Sequence, residues 1–161
     1  MKKFCGQPVD AIEPTTGFNI QTLELAGYNL NLWDVGGQKS IRAYWRNYFE
    51  QTDGVLWVVD STDVRRLEQC RAELEQLLQS ERLAGASLLI LANKQDVAGA
   101  LTAQEIASQL GLHDDHIHET KNHYKNRHWS IHSCSAVTGE GLKDGVDWIV
   151  KDIASRIFML S

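Results

Sequence analysis

The chain is short of the features that would set it apart from ordinary globular proteins. Cysteine is sparse: Cys5, Cys70 and Cys134 lie far apart with no paired spacing. That excludes a disulfide scaffold and suits reduced thiols in a reducing compartment. No apolar run approaches the length of a membrane span. The opening Met1-Lys2-Lys3-Phe4-Cys5-Gly6 has the positive end of a signal peptide, but no apolar stretch follows it. Position 2 holds no glycine to myristoylate and the C-terminus no cysteine to prenylate, so no stable membrane anchor is expected. An excess of basic charge is missing too: the net charge is −5, which gives no electrostatic support for nucleic-acid binding. Only two prolines occur, Pro8 and Pro14, and the strand and helix patterns beyond them are free of that breaker. Repeats, linkers and low-complexity tracts are absent. With 161 residues, 43% of them hydrophobic and 23% charged, the expectation is one soluble, cytoplasmic domain.

What is present is an alternation of short strand-like and longer helix-like segments, the pattern of a mostly parallel α/β sheet. Phe18 to Leu25 and Leu30 to Val35 flank Gly27-Tyr28-Asn29 and read as an antiparallel hairpin. Val55 to Val59 and Leu88 to Ala92 are continuous apolar runs, suited to strands buried on both faces. Trp129 to Cys134 is a weaker last strand. Leu67, Cys70, Leu74, Leu77 and Leu78 recur at helical spacing, as do Leu142, Val146, Ile149, Ile153 and Ile157. A shorter helix spans Thr102 to Leu110, with Thr102 as N-cap and Glu105 three residues on.

Two strand ends carry chemistry. Asn93-Lys94-Gln95-Asp96 follows the strand ending at Ala92, at the sheet edge where α/β folds bind ligands. A carboxylate such as Asp96 can accept two parallel hydrogen bonds from the N1–H and exocyclic amine of guanine. Adenine offers no such donor pair and would leave the carboxylate desolvated and unpaired. Asn93 can bridge base and loops, and the Lys94 stem can cover the ring. The bland alternative is a polar loop after a strand. Asp34-Val35-Gly36-Gly37-Gln38 also follows a strand. Its glycines permit close backbone approach, and the Gly37 amide can donate to a terminal phosphate. Asp34 can hold magnesium, through water, and Gln38 can orient an attacking water. The alternative is a glycine turn before an aromatic helix. Cys134-Ser135-Ala136 could bring the Ala136 amide to a guanine carbonyl, and a threonine of Pro14-Thr15-Thr16 could reach magnesium. Order along the chain lends these weak signals weight.

Taken together, Pro14-Thr15 with Gly17-Phe18-Asn19, Trp33 to Gln38, Tyr44-Trp45-Arg46-Asn47-Tyr48-Phe49, Asn93 to Asp96 and Cys134-Ser135-Ala136 make the chain resemble the Arf family of small GTPases. The resemblance runs from about Lys2 to Phe158. It implies a P-loop NTPase-like α/β domain and a switch that binds GTP or GDP with Mg2+ and hydrolyses GTP. It assigns nucleotide contacts to Asp34, Gly36, Gly37, Asn93, Lys94, Gln95, Asp96, Ser135 and Ala136, metal contacts to Thr15 and Asp34, and water positioning to Gln38. Phe18, Trp33, Trp45 and Tyr48 match the family's aromatic effector patch, core packing being the alternative for these rings. In the family the hairpin slides by two residues on GTP binding, a shift that keeps every side chain on its own face. No arginine stands just before Thr15, so hydrolysis is expected to be slow and accelerated by a partner. Effectors, a GTPase-activating protein and an exchange factor are implied partners. The resemblance also points to a tubulin-folding cofactor and to carriers of lipidated proteins.

The sequence departs from the family in two places. No Gly-x-x-x-x-Gly-Lys-Ser/Thr occurs; Gly37-Gln38-Lys39-Ser40 is a false cousin. In the family the loop's amides, lysine and hydroxyl grip phosphates and metal. Losing three charge-assisted contacts of about 1.5–3 kcal/mol each would weaken nucleotide binding by about 10³- to 10⁶-fold. The first strand, central in the family, is expected to be missing as well, as in a truncated gene model or splice product, with two interior edges left open and stability reduced. The second departure is the stretch His113 to His132, longer than the family's loop. It holds all six histidines, His113, His116, His118, His123, His128 and His132, which read as a solvated loop, with zinc binding as the alternative. A nucleotide-free interaction module built on the aromatic patch is the other competing reading.

Overall fold

The computed structural model describes residues 1–10, 12–112, 124 and 126–157. These fall into two compact units, Met1–Thr52 and Asp53–Ser161.

In the first unit, β1 (Phe18–Leu25) and β2 (Tyr28–Val35) pair antiparallel from Phe18↔Val35 to Leu25↔Tyr28. Alternation sorts the side chains, because opposed residues share a face. Leu23 opposite Leu30 lies on a half-buried face, whereas Phe18 and the pair Ile20–Trp33 lie on an exposed one. The turn differs from expectation. It consists of Ala26 and Gly27, both at positive φ (53° and 81°), and Tyr28 and Asn29 already belong to β2. A two-residue turn of this hand matches the twist of the strands it joins. Ala26 gives no sequence signal for it. The aromatic segment that follows is a 3-10 helix, Arg42–Tyr48.

In the second unit, β3 (Gly54–Asp60), β4 (Ser87–Asn93) and β5 (Trp129–Ser133) form a parallel sheet in the order β3-β4-β5. Among the described residues three α-helices accompany it: α1 (Leu67–Leu78), α2 (Ala103–Gln109) and α3 (Leu142–Ile157). The continuous apolar run of β4 is buried on both faces, as a middle parallel strand must be. Leu88, Ile90 and Ala92 pack with Leu74 and Leu78 of α1, Ile106 of α2 and the following Leu110. Leu89 and Leu91 meet α3, which approaches so closely at Gly145 that an added Cβ would stand 3.0 Å from Leu91 Cδ2. Each fully buried leucine or isoleucine contributes about 1.5–3 kcal/mol before entropy is counted. Helix α2 starts in the expected capping box: the Glu105 amide donates to Thr102 Oγ1 (3.2 Å) and the Thr102 amide to Glu105 Oε2 (2.8 Å).

The amino end of β4 is tied to α3 by polar contacts. Ser87 Oγ donates to Asp152 Oδ2 (2.6 Å), His128 Nδ1 lies 2.8 Å from Asp152 Oδ1, and Arg156 reaches both Ser87 and the Gly85 carbonyl. Burial pushes the Asp152 carboxyl up, but hydrogen bonds from Ser87 and His128, with the charges of His128 and Arg156, outweigh it and hold the group below its ordinary value. The opposite, carboxyl edge of the sheet is where Asp60, Asn93 and Ser133 hand over to loops.

Candidate functional site

At that carboxyl edge, the loops after β4 and β5 are stitched to each other. Ser135, buried at the start of the loop that follows β5, donates through Oγ to Asp96 Oδ1 (2.6 Å). The same Oγ accepts the amides of Val137 (3.2 Å) and Thr138 (3.1 Å), so the hydroxyl's orientation is fixed from both sides. One Asp96 oxygen is thereby held while the side chain remains exposed. The Ala136 amide donates to Asn93 Oδ1 at 2.9 Å. It is thus aimed at Asn93, and meeting a base carbonyl requires sharing or re-aiming that hydrogen.

Gln95 is directed inward to the scaffold. Its amide donates to the Cys134 carbonyl (3.1 Å) and its Nε2 to the Leu101 carbonyl (2.8 Å). The resemblance assigns it a nucleotide contact; the contacts it makes in the structure are those of a brace. Lys94 stands at φ 70°, a backbone conformation that favours glycine. Its Nζ lies 2.6 Å from Asp60 Oδ2. Asp60 Oδ1 in turn accepts the Thr62 hydroxyl (2.7 Å) and amide (3.0 Å). Burial pushes Asp60 up, but the hydrogen bonds from Lys94 and Thr62 prevail and keep its carboxyl below the ordinary value. Asp60 belongs to none of the sequence motifs. The signal that could have found it is register, since Asp60 pairs with Asn93 at the two strand ends.

In the first unit the Thr15 segment and the Asp34–Gly37 segment are in contact. The Gly36 amide donates to the Gly17 carbonyl (2.9 Å), and a Cβ at Gly36 would stand 2.3 Å from the Thr15 carbonyl oxygen. The close approach that Gly36 permits is therefore to its own chain. Gly37 is different: it is exposed, and a Cβ there meets nothing within 4 Å. Asp34, half-buried, is the residue of β2 opposite Asn19, and Gln38 is exposed. The Arg42 guanidinium donates to the Gly37 carbonyl (2.9 Å).

Three of the four predicted patch aromatics form a ring cluster: Phe18–Trp33 at 5.7 Å, Phe18–Tyr48 at 5.5 Å and Trp33–Tyr48 at 5.4 Å between centroids. Phe18 and Trp33 are 49% and 50% exposed, which sets aside simple core packing for these two. Trp45 is half-buried and donates its indole N–H to the Gly36 carbonyl (2.9 Å). It braces the glycine loop.

Of the histidine-rich stretch, His113, His116, His118 and His123 lie outside the described residues. His128 is engaged by Asp152, and His132 Nε2 lies 3.1 Å from Ser130 Oγ. Among the described residues no group of three potential ligands converges on one point. The three cysteines are free thiols, and burial pushes Cys134 up to about 11. No helix among the described residues is long and apolar enough to cross a membrane.

Comparison with known proteins gives a consistent result. The ADP-ribosylation factor family pattern matches residues 1–153. The chain is 60% identical over 158 residues to ADP-ribosylation factor-like protein 2 of Arabidopsis thaliana, covering 98% of this chain and 81% of that protein. It is 58% identical over 160 residues to ADP-ribosylation factor-like protein 2 of Drosophila melanogaster, covering 99% and 82%. Among solved structures, the Arl6 BBS3 small GTPase from Trypanosoma brucei with bound nucleotide analogue GppNp superposes with a TM-score of 0.81 at 28% identity, covering 96% of this chain and 90% of that one.

Proposed function

This chain belongs to the ADP-ribosylation factor family, and from that premise we propose that it acts as a guanine-nucleotide switch that binds and slowly hydrolyses GTP. Its α/β fold is that of the small GTPases. The observation that carries the reading is the stitched pair of loops, with Ser135 Oγ 2.6 Å from Asp96 Oδ1 and the Ala136 amide 2.9 Å from Asn93 Oδ1. Such a pre-set carboxylate suits the two donors on one edge of guanine, and pre-organisation lowers the entropy of ordering on binding. Lys94 covers the base, and Gln95 holds the loop in place.

In the first unit, Gly37 supplies an amide for the terminal phosphate, and Gln38, exposed beside it, orients the attacking water. Thr15 and Asp34 offer the hard oxygen donors that Mg2+ favours, and the contact between the Thr15 carbonyl and Gly36 draws their segments together. The ion, when bound, offsets phosphate charge. This chain contains no Gly-x-x-x-x-Gly-Lys-Ser/Thr segment, so binding by these residues alone is weakened. Effectors, an activating protein and an exchange factor meet the exposed Phe18–Trp33–Tyr48 cluster and its neighbours. A tubulin-folding cofactor and carriers of lipidated proteins are the partners this reading favours, in a cytoplasmic setting. The same cluster supports a second reading, a nucleotide-free interaction module, because Phe18 and Trp33 stack on each other and both remain exposed.

Competition binding separates the two. Titrating the chain with GDP and ADP should show guanine preference, and Asp96→Ala should abolish that preference. Equal response to both nucleotides in the unsubstituted chain would remove the switch reading and leave the second.

A further inference from the structure

We propose that Asp60 is a positioning residue for guanine-nucleotide recognition, acting by anchoring the Lys94 ammonium; this rests on the switch reading above. Four observations converge on it. Asp60 ends β3 in register with Asn93, the last residue of β4, so the two strand ends lie side by side. Its two carboxylate oxygens are divided between tasks: Oδ1 is fixed by the Thr62 hydroxyl and amide, and Oδ2 faces Lys94 Nζ at 2.6 Å. Lys94 is one of the few non-glycine residues at positive φ, a conformation that persists only where surroundings enforce it. The loops are further zipped by backbone bonds, Ser61 amide to Asn93 carbonyl (3.1 Å) and Leu101 amide to Ser61 carbonyl (2.8 Å).

The consequence is mechanical. A lysine stem has several rotatable bonds, and tethering its far end removes most of its rotamers before any base arrives. The left-handed turn at Lys94 also sets the direction in which Asn93 and Asp96 leave the strand. Beside the pair, Asp63 is engaged by Arg66, whose charge also acts on Asp60. Thr62 keeps the anchor itself from turning away.

Two explanations of an Asp60 effect give opposite signs. If Asp60 acted only as a distant negative charge, its removal would favour an anionic nucleotide and the gain would fade with salt. If it positions Lys94, removal weakens binding. The pair is part-exposed, so the expected loss is about 2- to 5-fold in GDP affinity for Asp60→Asn. The test is a double-mutant cycle with GDP as probe, read by NMR titration of the 161-residue chain and its variants Asp60→Asn, Lys94→Ala and the double variant. Asp60→Asn should lower affinity, and in the Lys94→Ala background it should add nothing. A full, additive loss in that background, or a gain in affinity, overturns the proposal. If Lys94→Ala itself leaves GDP affinity unchanged, the base-covering role of Lys94 fails, and with it the positioning role. Amide exchange provides a nucleotide-independent check. The Gln95 and Val97 amides, bonded to the Cys134 and Lys94 carbonyls, should exchange faster in Asp60→Asn, and unchanged protection overturns the anchoring.

Discussion

Replacing Gly141 by alanine tests how the loop carrying Ser135 and Ala136 is held. Gly141 sits at φ 71°, and an added Cβ would stand 2.0 Å from the Ser133 carbonyl oxygen and 3.0 Å from its carbon. Both atoms are backbone at the end of β5, so neither can swing aside as a side-chain tip would. Two costs combine. Placing an L-residue in the left-handed region costs about 1–2 kcal/mol, and relieving an overpacked contact costs about 1–3 kcal/mol more. Gly99 provides the control, with φ 81° and nothing within 4 Å of its would-be Cβ. Gly99→Ala therefore carries the backbone cost alone. Urea unfolding followed by tryptophan fluorescence should show Gly141→Ala destabilised by about 2–5 kcal/mol and Gly99→Ala by about 1–2 kcal/mol. A further sign is expected at the site, because displacing Ser133 moves the base of the loop that sets Ser135 against Asp96. If the two variants lose equal stability, the packed carbonyl contributes nothing and the account of the loop is wrong.

Three other outcomes are expected. Ser135→Ala removes the hydroxyl that bonds Asp96, Val137 and Thr138, and the stranded partners should lower stability by about 1–3 kcal/mol in urea unfolding; no change would deny the buried serine its bracing role. Asp152 titrates below its ordinary value in the folded chain, so its stabilising contribution is present above the unfolded carboxylate value and is lost as pH falls through the lower folded one. Asp152→Asn should flatten the stability–pH curve on the acid side of the ordinary value of 3.8, and an unaltered slope in acid unfolding would refute this. Ala26→Asn, at the φ 53° position of the hairpin turn, should stabilise the hairpin by about 0.5–1 kcal/mol, seen as slower amide exchange in β1 and β2.

Local pattern made much of this fold legible. The apolar run Leu88–Ala92 is buried on both faces, as its lack of alternation implied, and Thr102 with Glu105 forms the capping box that their spacing suggested. The hairpin was legible in its strands but not its turn, because Ala26 takes a conformation its side chain does not advertise. At the site, Asn93, Asp96, Ser135 and Ala136 converge as their strand-end positions implied. The internal role of Gly36 was hidden, since a glycine that admits a phosphate and one that admits the Thr15 carbonyl read alike. Contacts between distant residues were hidden for a different reason: Asp60 and Lys94 are 34 apart in sequence, and Ser87 and Asp152 are 65 apart. Register and packing bring such pairs together, and no local spacing encodes them.

The Thr15 carbonyl resting on Gly36 also has a dynamic consequence. Close packing there resists compression, while the bond from the Gly36 amide to the Gly17 carbonyl two residues on resists separation. Thr15 cannot press inward without carrying the glycine loop along, nor can its stretch lift away without breaking that bond. The two segments are therefore linked in both senses, and a displacement of one is passed to the other.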